Sequence, residues 1–320
     1  MGLTPRGHWV GPLCAVVGVF GFSVKAILIK LAYAWHPIDA VTLLTLRMLF
    51  SVPFFIAMAW WSGRAPGARA LTRADWTSLV ALGFVGYYVA SLLDFMGLAY
   101  ISAALERLVM FLYPTMVVVL SALVLHKPIT RRAVAALVLS YAGIALVFVR
   151  DLQTTADPAA LWTGAALVFA SAALYSAYLV GAGGVIARIG SMRFISWAML
   201  LSAAFVTLQF AATREPGLLR VPASIYALSL AMAVVSTVLP TWLIAEAIRR
   251  IGANTSSLIG SMGPVFTIGL GVTILGEPLL PLQFVGAALV LAGVMLVTLR
   301  PGAGATVPAG ARDPVVRPDA

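Results

Sequence analysis

The chain has 320 residues, of which 62% are hydrophobic and 10% are charged, and its formal net charge is +10. Because soluble globular proteins carry about 25% charged residues, this composition and a mean hydropathy of +1.02 exclude an ordinary soluble fold. The single cysteine, Cys14, excludes an intramolecular disulfide.

Ten apolar segments follow one another along the chain. Each is about 20 residues long and lacks the alternation of a strand, so each predicts a transmembrane helix. The predicted spans are 9–31, 40–61, 76–98, 102–124, 132–149, 160–181, 193–212, 222–247, 254–275 and 282–299. The first span is interpreted as a retained helix and not as a cleaved signal peptide, because it is too long and contains Lys25 and Lys30. Residues 301–320 are rich in Pro, Gly and Ala and predict a disordered tail.

The second half of the sequence repeats the first at a constant offset. The recurring residues are Pro114 and Pro264, Pro128 and Pro278, Gly143 and Gly293, and Arg150 and Arg300. Each half holds five predicted spans, and because five is odd, the halves must cross the membrane in opposite directions. The predicted fold is an all-α polytopic membrane protein with ten transmembrane helices in two inverted five-helix repeats, residues 1–150 and 151–300. Inverted repeats of this kind recur in secondary transporters.

Lysine and arginine residues outside the spans predict the orientation. The N-terminal side holds Arg6, Arg64, Arg69, Arg73, Lys127, Arg131, Arg132, Arg188, Arg193, Arg249, Arg250, Arg300, Arg312 and Arg317. The opposite side holds only Arg150, Arg214 and Arg220. Because cytoplasmic loops carry the excess of Lys and Arg, both termini and the tail are predicted to be cytoplasmic. Topology therefore explains the net charge without a nucleic-acid partner.

Two prolines lie in the middle of predicted spans. Pro114 and Pro264 cannot donate to the carbonyls of Met110 and Gly260, and their rings clash with those carbonyls, so each predicts a kink or a local opening. The kinks fit either ordinary helix bending or a hinge at a binding site near the midplane. Their matching places in the two halves favour the hinge.

Five ionisable side chains lie well inside the predicted spans: Lys25, Arg47, Asp94, Glu106 and Arg107. Each costs roughly 2.5–3.5 kcal/mol to insert, which makes each a functional candidate. Lys25 precedes the first outer turn by about 11 residues and Arg47 follows it by about 10, so both cations lie roughly 15 Å below the outer surface.

These charges fit two hypotheses. One is a static ion-pair network that orders the first four helices, and the other is a substrate or proton site. The positions of Glu106 and Arg107 recur in the second half as Ser256 and Ser257, so the expected site is asymmetric. The candidate polar and aromatic contacts are Tyr113, Tyr178, Trp242, Asn254 and Ser257. The excess of buried cation favours an anionic or zwitterionic substrate, and Asp94 and Glu106 are candidate proton carriers.

Several short motifs, in this order and spacing, resemble the EamA-like type of the drug/metabolite transporter superfamily. The segment from Tyr100 to Arg107, followed by Phe111 to Thr115, is similar to the start of the fourth helix in bacterial members. Arg47 is similar to an arginine of the second helix, and Leu275-Gly276-Glu277-Pro278 to an acidic helix-end motif. The first half departs from the pattern, because His126-Lys127-Pro128 stands where the family usually has an acid.

The resemblance implies a carrier in the cytoplasmic membrane that often exports amino acids or other small metabolites. It also implies a central cavity lined by the first four helices of each half, and no cofactor. A flippase for a lipid-linked molecule and a small-molecule channel remain alternatives, and the substrate and oligomeric state stay open. A membrane-embedded enzyme is disfavoured, because the sequence has no His-Glu-x-x-His motif, no intramembrane Asp pair and no Walker-type loop.

Overall fold

A computed structural model describes residues 9–64, 69–126, 128–278 and 281–298, apart from the side chains at positions 125, 253, 254, 257, 258 and 297. Every regular element in this part of the chain is helical. The predicted disordered tail, 301–320, lies outside the described residues.

The first half of the chain forms seven α-helices within the described ranges. They are α1 (Val10–Trp35), α2 (Ala40–Gly63), α3 (Arg73–Leu82), α4 (Ala90–Leu98), α5 (Ala103–Met110), α6 (Tyr113–Leu125) and α7 (Arg131–Thr154). A π-helical segment, Gly83–Val89, joins α3 to α4. Side-chain caps start several helices: Asp39 accepts from the first turn of α2, and Thr72 forms a capping box with Asp75 at α3.

The second half continues with six α-helices in the same described part. They are α8 (Pro158–Ile189), α9 (Ser191–Thr213), α10 (Ala223–Ala233), α11 (Leu239–Gly260), α12 (Gly263–Leu275) and α13 (Pro281–Thr298). A 3₁₀ turn, Pro216–Leu219, precedes α10, and a π-helical segment, Val234–Val238, joins α10 to α11. Gly252 interrupts α11 with φ 80° and ψ 161°, a backbone conformation that favours glycine.

The described helices confirm an all-helical, polytopic membrane protein. Eight helical stretches are long and apolar enough to cross a membrane, and α12 and α13 are shorter apolar helices. The eight stretches follow the first eight predicted spans, although the first helix continues to Trp35 instead of ending at residue 31, and α8 continues to Ile189 instead of ending at residue 181. The predicted span 254–275 is divided between the last turns of α11 and all of α12.

The helices of the two halves are irregular at corresponding positions. The π-helical segments Gly83–Val89 and Val234–Val238 stand at the same sequence offset as the two central prolines. Helices α5 and α11 end at Met110 and Gly260, and the next helix begins three residues later in each half. The prolines then occupy the first turn of α6 and α12, where a missing N–H is tolerated.

Close helix contacts join the two halves. Helix α1 packs against α11 and α12, α2 against α9, α4 against α8, and α7 against α13. Glycines allow these approaches: a Cβ atom on Gly97 would lie 3.0 Å from the carbonyl oxygen of Gly164. The same atom on Gly143 would lie 2.6 Å from the carbonyl oxygen of Gly286. Side chains of α1, α4 and α5 that face the second half therefore lie at the interface between the halves.

Candidate functional site

Three predicted charges meet in one buried cluster. The Nζ atom of Lys25, on α1, donates to Oδ2 of Asp94, on α4, at 2.5 Å. The same Nζ lies 3.5 Å from Oε1 of Glu106, on α5. Asp94 is 2% exposed and Glu106 is fully buried, whereas the Lys25 side chain retains 18% exposure. One ammonium group therefore faces two carboxylates. We call the three residues Lys25, Asp94 and Glu106 the carboxylate cluster.

The carboxylate cluster leaves polar atoms without partners. Oδ1 of Asp94 and Oε2 of Glu106 are buried and have no hydrogen-bond partner among the described residues, and Oε1 of Glu106 has only the ionic contact with Lys25. A buried polar group without a partner costs about 1–3 kcal/mol, and more when it is charged. A proton on one carboxylate, a water molecule or a ligand group would each reduce that cost.

Arg47 forms no salt bridge with this cluster, although the charge of Asp94 acts on its guanidinium. It is 6% exposed, and its Nε atom donates to Oγ1 of Thr237 at 3.1 Å. Its Cζ atom lies 5.4 Å from the centre of the Phe95 ring, a cation–π distance. Within the described ranges no salt bridge joins Arg47 to a carboxylate. A buried guanidinium in this setting is suited to bind an anionic group.

The guanidinium of Arg107 contacts the second half of the chain. A Cβ atom built on Gly263 would lie 2.5 Å from an Nη atom of Arg107 and 3.3 Å from its Cζ atom. The guanidinium therefore lies against the glycine backbone at the start of α12, in the second half. Its Nε atom is buried and has no hydrogen-bond partner in the described part of the chain.

Four tyrosines form an aromatic cluster next to these helices. Tyr113, at the start of α6, contacts Tyr175 of α8 with ring centres 5.4 Å apart. Tyr175 stacks on Tyr178 at 5.5 Å, and the hydroxyl groups of Tyr178 and Tyr87 are 2.9 Å apart. The side chain of Tyr87 comes from the π-helical segment Gly83–Val89. The cluster combines flat apolar surface with hydroxyl groups, as binding sites for small organic molecules do.

The other predicted site residues have different surroundings. Trp242 is 44% exposed and Tyr178 is 3% exposed. The side chains of Asn254 and Ser257 lie outside the described residues. Pro114 and Pro264 stand beside the helix breaks, and their hinge role stays a prediction. No group of three His, Cys, Asp or Glu side chains that could hold a metal occurs in the described ranges.

A family model decides the identity of the chain. The model of the EamA-like transporter family matches residues 9–149 and again residues 162–299. The chain belongs to the EamA-like transporter family. It is therefore a multi-pass membrane transporter.

Two relatives of this EamA-like chain are named as transporters. It is 31% identical over 286 residues to the uncharacterized transporter YcbK of Bacillus subtilis (strain 168), covering 86% of this chain and 88% of YcbK. It is 25% identical over 228 residues to the uncharacterized transporter YyaM of the same organism, covering 71% and 74%. A solved crystal structure aligns with 90% of this chain and 96% of its own, with a TM-score of 0.59 and 20% identity. That likeness shows the fold alone.

The structure of this EamA-like protein adds contacts that the sequence did not predict. Thr237 contacts Arg47, Gly263 contacts Arg107, and Tyr87 and Tyr175 complete the aromatic cluster. One signal was available for the tyrosines, because Tyr175 and Tyr178 are three residues apart and share a face of a helix. Thr237 and Gly263 depend on packing between the two halves.

Proposed function

We propose that this EamA-like transporter is a secondary carrier that exports small metabolites, such as amino acids, by alternating access. It spans the cytoplasmic membrane ten times as two inverted repeats, residues 1–150 and 151–300, with both termini in the cytoplasm. The recurrence of the π-helical segments and helix breaks at one sequence offset supports the repeat. The distribution of Lys and Arg supports the orientation.

The observation that carries the proposal is the buried guanidinium of Arg47, which forms no salt bridge within the described part of the chain. A cation without an ion-pair partner at this depth is costly. The charge of Asp94 attracts the guanidinium without a direct ion pair, and an anionic substrate group would offset the remaining cost. Together with Lys25 and Arg107, Arg47 makes three cations well inside the predicted spans of the first half, against the two carboxylates of Asp94 and Glu106. This balance favours a substrate that is anionic or zwitterionic.

We also propose that the carboxylate cluster takes up protons during transport. Lys25 contacts both Asp94 and Glu106, so it can remain paired with one carboxylate while the other binds a proton. Such an exchange couples the position of α1 to the protonation of α4 and α5. A static ion-pair network is the competing interpretation, in which the same three side chains only order the helices.

The first experiment is ligand-dependent thermal stability of the purified protein. The panel holds amino acids, carboxylates, nucleosides and quaternary amines, and the variants are wild type, Arg47→Ala and the control Arg64→Ala. Arg64 lies just beyond the end of α2, where its guanidinium covers the ring of Trp60 at 3.8 Å. A ligand that binds only the folded state raises the free energy of unfolding, by about 2.7 kcal/mol at a ligand concentration of 100 times Kd, and the melting temperature rises with it.

The expected result is stabilisation of wild type and Arg64→Ala by an anion or zwitterion, and its loss in Arg47→Ala. Equal stabilisation of Arg47→Ala would remove Arg47 from the site. If no soluble compound stabilises any variant, a lipid-linked substrate becomes the better hypothesis and the static network gains support.

The proton proposal is tested in proteoliposomes that contain a pH-sensitive dye. The stabilising compound from the panel is applied on one side, and acidification is compared for wild type, Asp94→Asn and Glu106→Gln. We expect at least one substitution to abolish coupled proton movement while substrate binding persists. Unchanged pH-dependent transport in both variants would show that coupling lies elsewhere.

A further inference from the structure

A turn between α4 and α5 is held by two charged side chains of opposite sign. Lys30 of α1 donates from Nζ to the carbonyl oxygen of Ile101 at 2.9 Å. Glu277, which follows α12, accepts from the amide of Ala103 at 2.8 Å and from that of Ala104 at 3.4 Å. The ammonium group of Lys30 thus lies beyond the carboxyl end of α4, and the carboxylate of Glu277 lies at the amino end of α5. Both placements match the direction of the helix dipoles.

Glu277 supplies a cap that the local sequence does not. Ser102 caps α5 through the amide of Leu105, and the first amides of a helix have no partner within it. The two further amides, of Ala103 and Ala104, are satisfied by a side chain that is 174 residues distant in sequence. The hydrogen bonds are charge-assisted, which makes them roughly twice as strong as neutral ones.

The backbone after α12 directs Glu277 towards this cap. Gly276 takes φ 67° at the end of α12, a left-handed conformation that glycine adopts without strain. The amide of Glu277 then donates to the carbonyl oxygen of Gly271 at 3.1 Å. A Cβ atom on Gly271 would lie 2.9 Å from Oε2 of Glu277, so the carboxylate lies close against α12.

The other half of the sequence lacks the corresponding acid. At the offset that relates Pro114 to Pro264, the residue corresponding to Glu277 is Lys127. An ammonium group has no acceptor and cannot cap helix amides. A carboxylate cap of this kind therefore has no equivalent at position 127; at the proposed inner end the halves are joined instead by the salt bridge between Asp75, in the first turn of α3, and Arg188, in the last turn of α8.

We propose that Glu277 is a positioning residue that latches the outer end of the transporter shut. This outer latch consists of Glu277, Lys30 and the turn from Ile101 to Ala104. It rests on the proposed alternating access and orientation. Because the latch holds the amino end of α5, which bears Glu106 and Arg107, its release would let the site residues of α5 move as the outer side opens.

The test uses spin-label distances in the full-length protein in nanodiscs. The single native cysteine is replaced by Cys14→Ser. The outer pair of labels is placed at Tyr100→Cys and Ile274→Cys, which are both 50% exposed. The inner pair is placed at Val124→Cys and Ile248→Cys, which are 61% and 44% exposed. Each pair is measured in acidic and alkaline buffer.

The variants are Glu277→Ala, the isosteric Glu277→Gln and the control Glu215→Ala. Glu215 is an exposed carboxylate in the segment between α9 and α10, on the proposed outer side. We expect Glu277→Ala to raise the ratio of long to short outer distances about tenfold, which corresponds to ~1.4 kcal/mol, and to shorten the inner distances. Glu277→Gln keeps one oxygen acceptor and should give a smaller shift in the same direction. Glu215→Ala should give the same outer and inner distances as the protein in which both Glu215 and Glu277 are native.

Two other results have separate meanings. If the protein with native Glu277 changes outer and inner distances in opposite directions between the two buffers, but Glu277→Ala and Glu277→Gln match it, alternating access stands and the latch is refuted. If no protein shows opposed changes in any buffer, the proposed rocking of the halves is wrong, and the latch fails with it. Should Glu277→Ala fail to fold, Glu277→Gln decides the question alone.

Discussion

Substitution of Gly263 by alanine tests whether the position of Arg107 matters for transport. The new Cβ atom would lie 2.5 Å from an Nη atom of Arg107, whereas ordinary van der Waals contact begins at 3.4 Å. The guanidinium must therefore retreat by about 1 Å, and as the end of a flexible side chain it can do so without unfolding the protein. A displacement of about 1 Å in a binding group can cost as much as ~100-fold in an enzyme. We expect transport to fall by about tenfold or more.

Stability should change little in the same variant. Replacing a helical glycine by alanine at a compatible site stabilises a protein by about 0.4–1 kcal/mol, and that gain offsets the displaced arginine. The assay is uptake, into proteoliposomes, of the compound that stabilises the wild-type protein, measured together with the melting temperature.

Gly269 provides the matched control. It lies on the same helix, α12, and a Cβ atom built on it has no neighbour within 4 Å. Gly269→Ala should therefore transport like the wild type with an equal or higher melting temperature. Normal transport by Gly263→Ala would refute the reasoning, because the displacement of Arg107 would then have no functional effect. Equal losses in both variants would trace the effect to helix rigidity and not to Arg107.

Two further predictions concern the outer loops and the topology. Asp39 caps α2 and forms a salt bridge with Arg214 at 3.1 Å; loss of a cap costs about 1 kcal/mol, so Asp39→Ala should lower the melting temperature more than Asp39→Asn, which still caps. Burial tends to raise the pKa of Asp39, but the hydrogen bonds from Thr42 and the contact with Arg214 outweigh it and lower the pKa. The stabilisation from ionised Asp39 is complete above the pKa that Asp39 has in the unfolded chain, and it disappears as the pH falls through the lowered pKa of the folded protein. The difference in melting temperature between Asp39→Ala and the wild type should therefore shrink in acid. A difference that does not depend on pH would contradict this prediction. A tag at Ala320 should resist an impermeant reagent in intact cells, and its labelling there would overturn the topology.

The membrane helices could be predicted from the sequence because hydropathy is summed over whole segments. A span needs about 20 apolar residues whatever its neighbours are, and the first eight spans agree with the observed helices within a few residues at most of their ends. Helix ends depend on local contacts. The extension of α1 to Trp35, the extension of α8 to Ile189 and the break at Gly252 were therefore missed.

The composition of the site was predictable in part. Lys25, Asp94 and Glu106 stood out because charge is rare in such segments, and the structure brings the three together. Their pairing was only one of two hypotheses, since depth along separate helices does not tell which faces meet. The contact between Arg47 and Thr237 spans 190 residues and needs the packing of α2 against the second half. Nothing local in the sequence encodes it.

The helix irregularities give evidence for the location of the site that is independent of side-chain charge. Irregular backbone within a membrane is tolerated where it is buried in protein or lines a cavity. The π-helical segment of the first half supplies Tyr87, and that of the second half supplies Thr237, the partner of Arg47. The two helix breaks are followed directly by Tyr113 and by Gly263, against which Arg107 lies.

Four irregularities therefore adjoin the candidate site residues, two from each half. A static ion-pair network would explain the carboxylate cluster, but it would not require interrupted helices in the second half, which has serines at the positions corresponding to Glu106 and Arg107. A pathway between two rocking halves accounts for both features. Such a pathway needs charged side chains to bind the substrate, and irregular helix segments at which the surrounding helices can change shape.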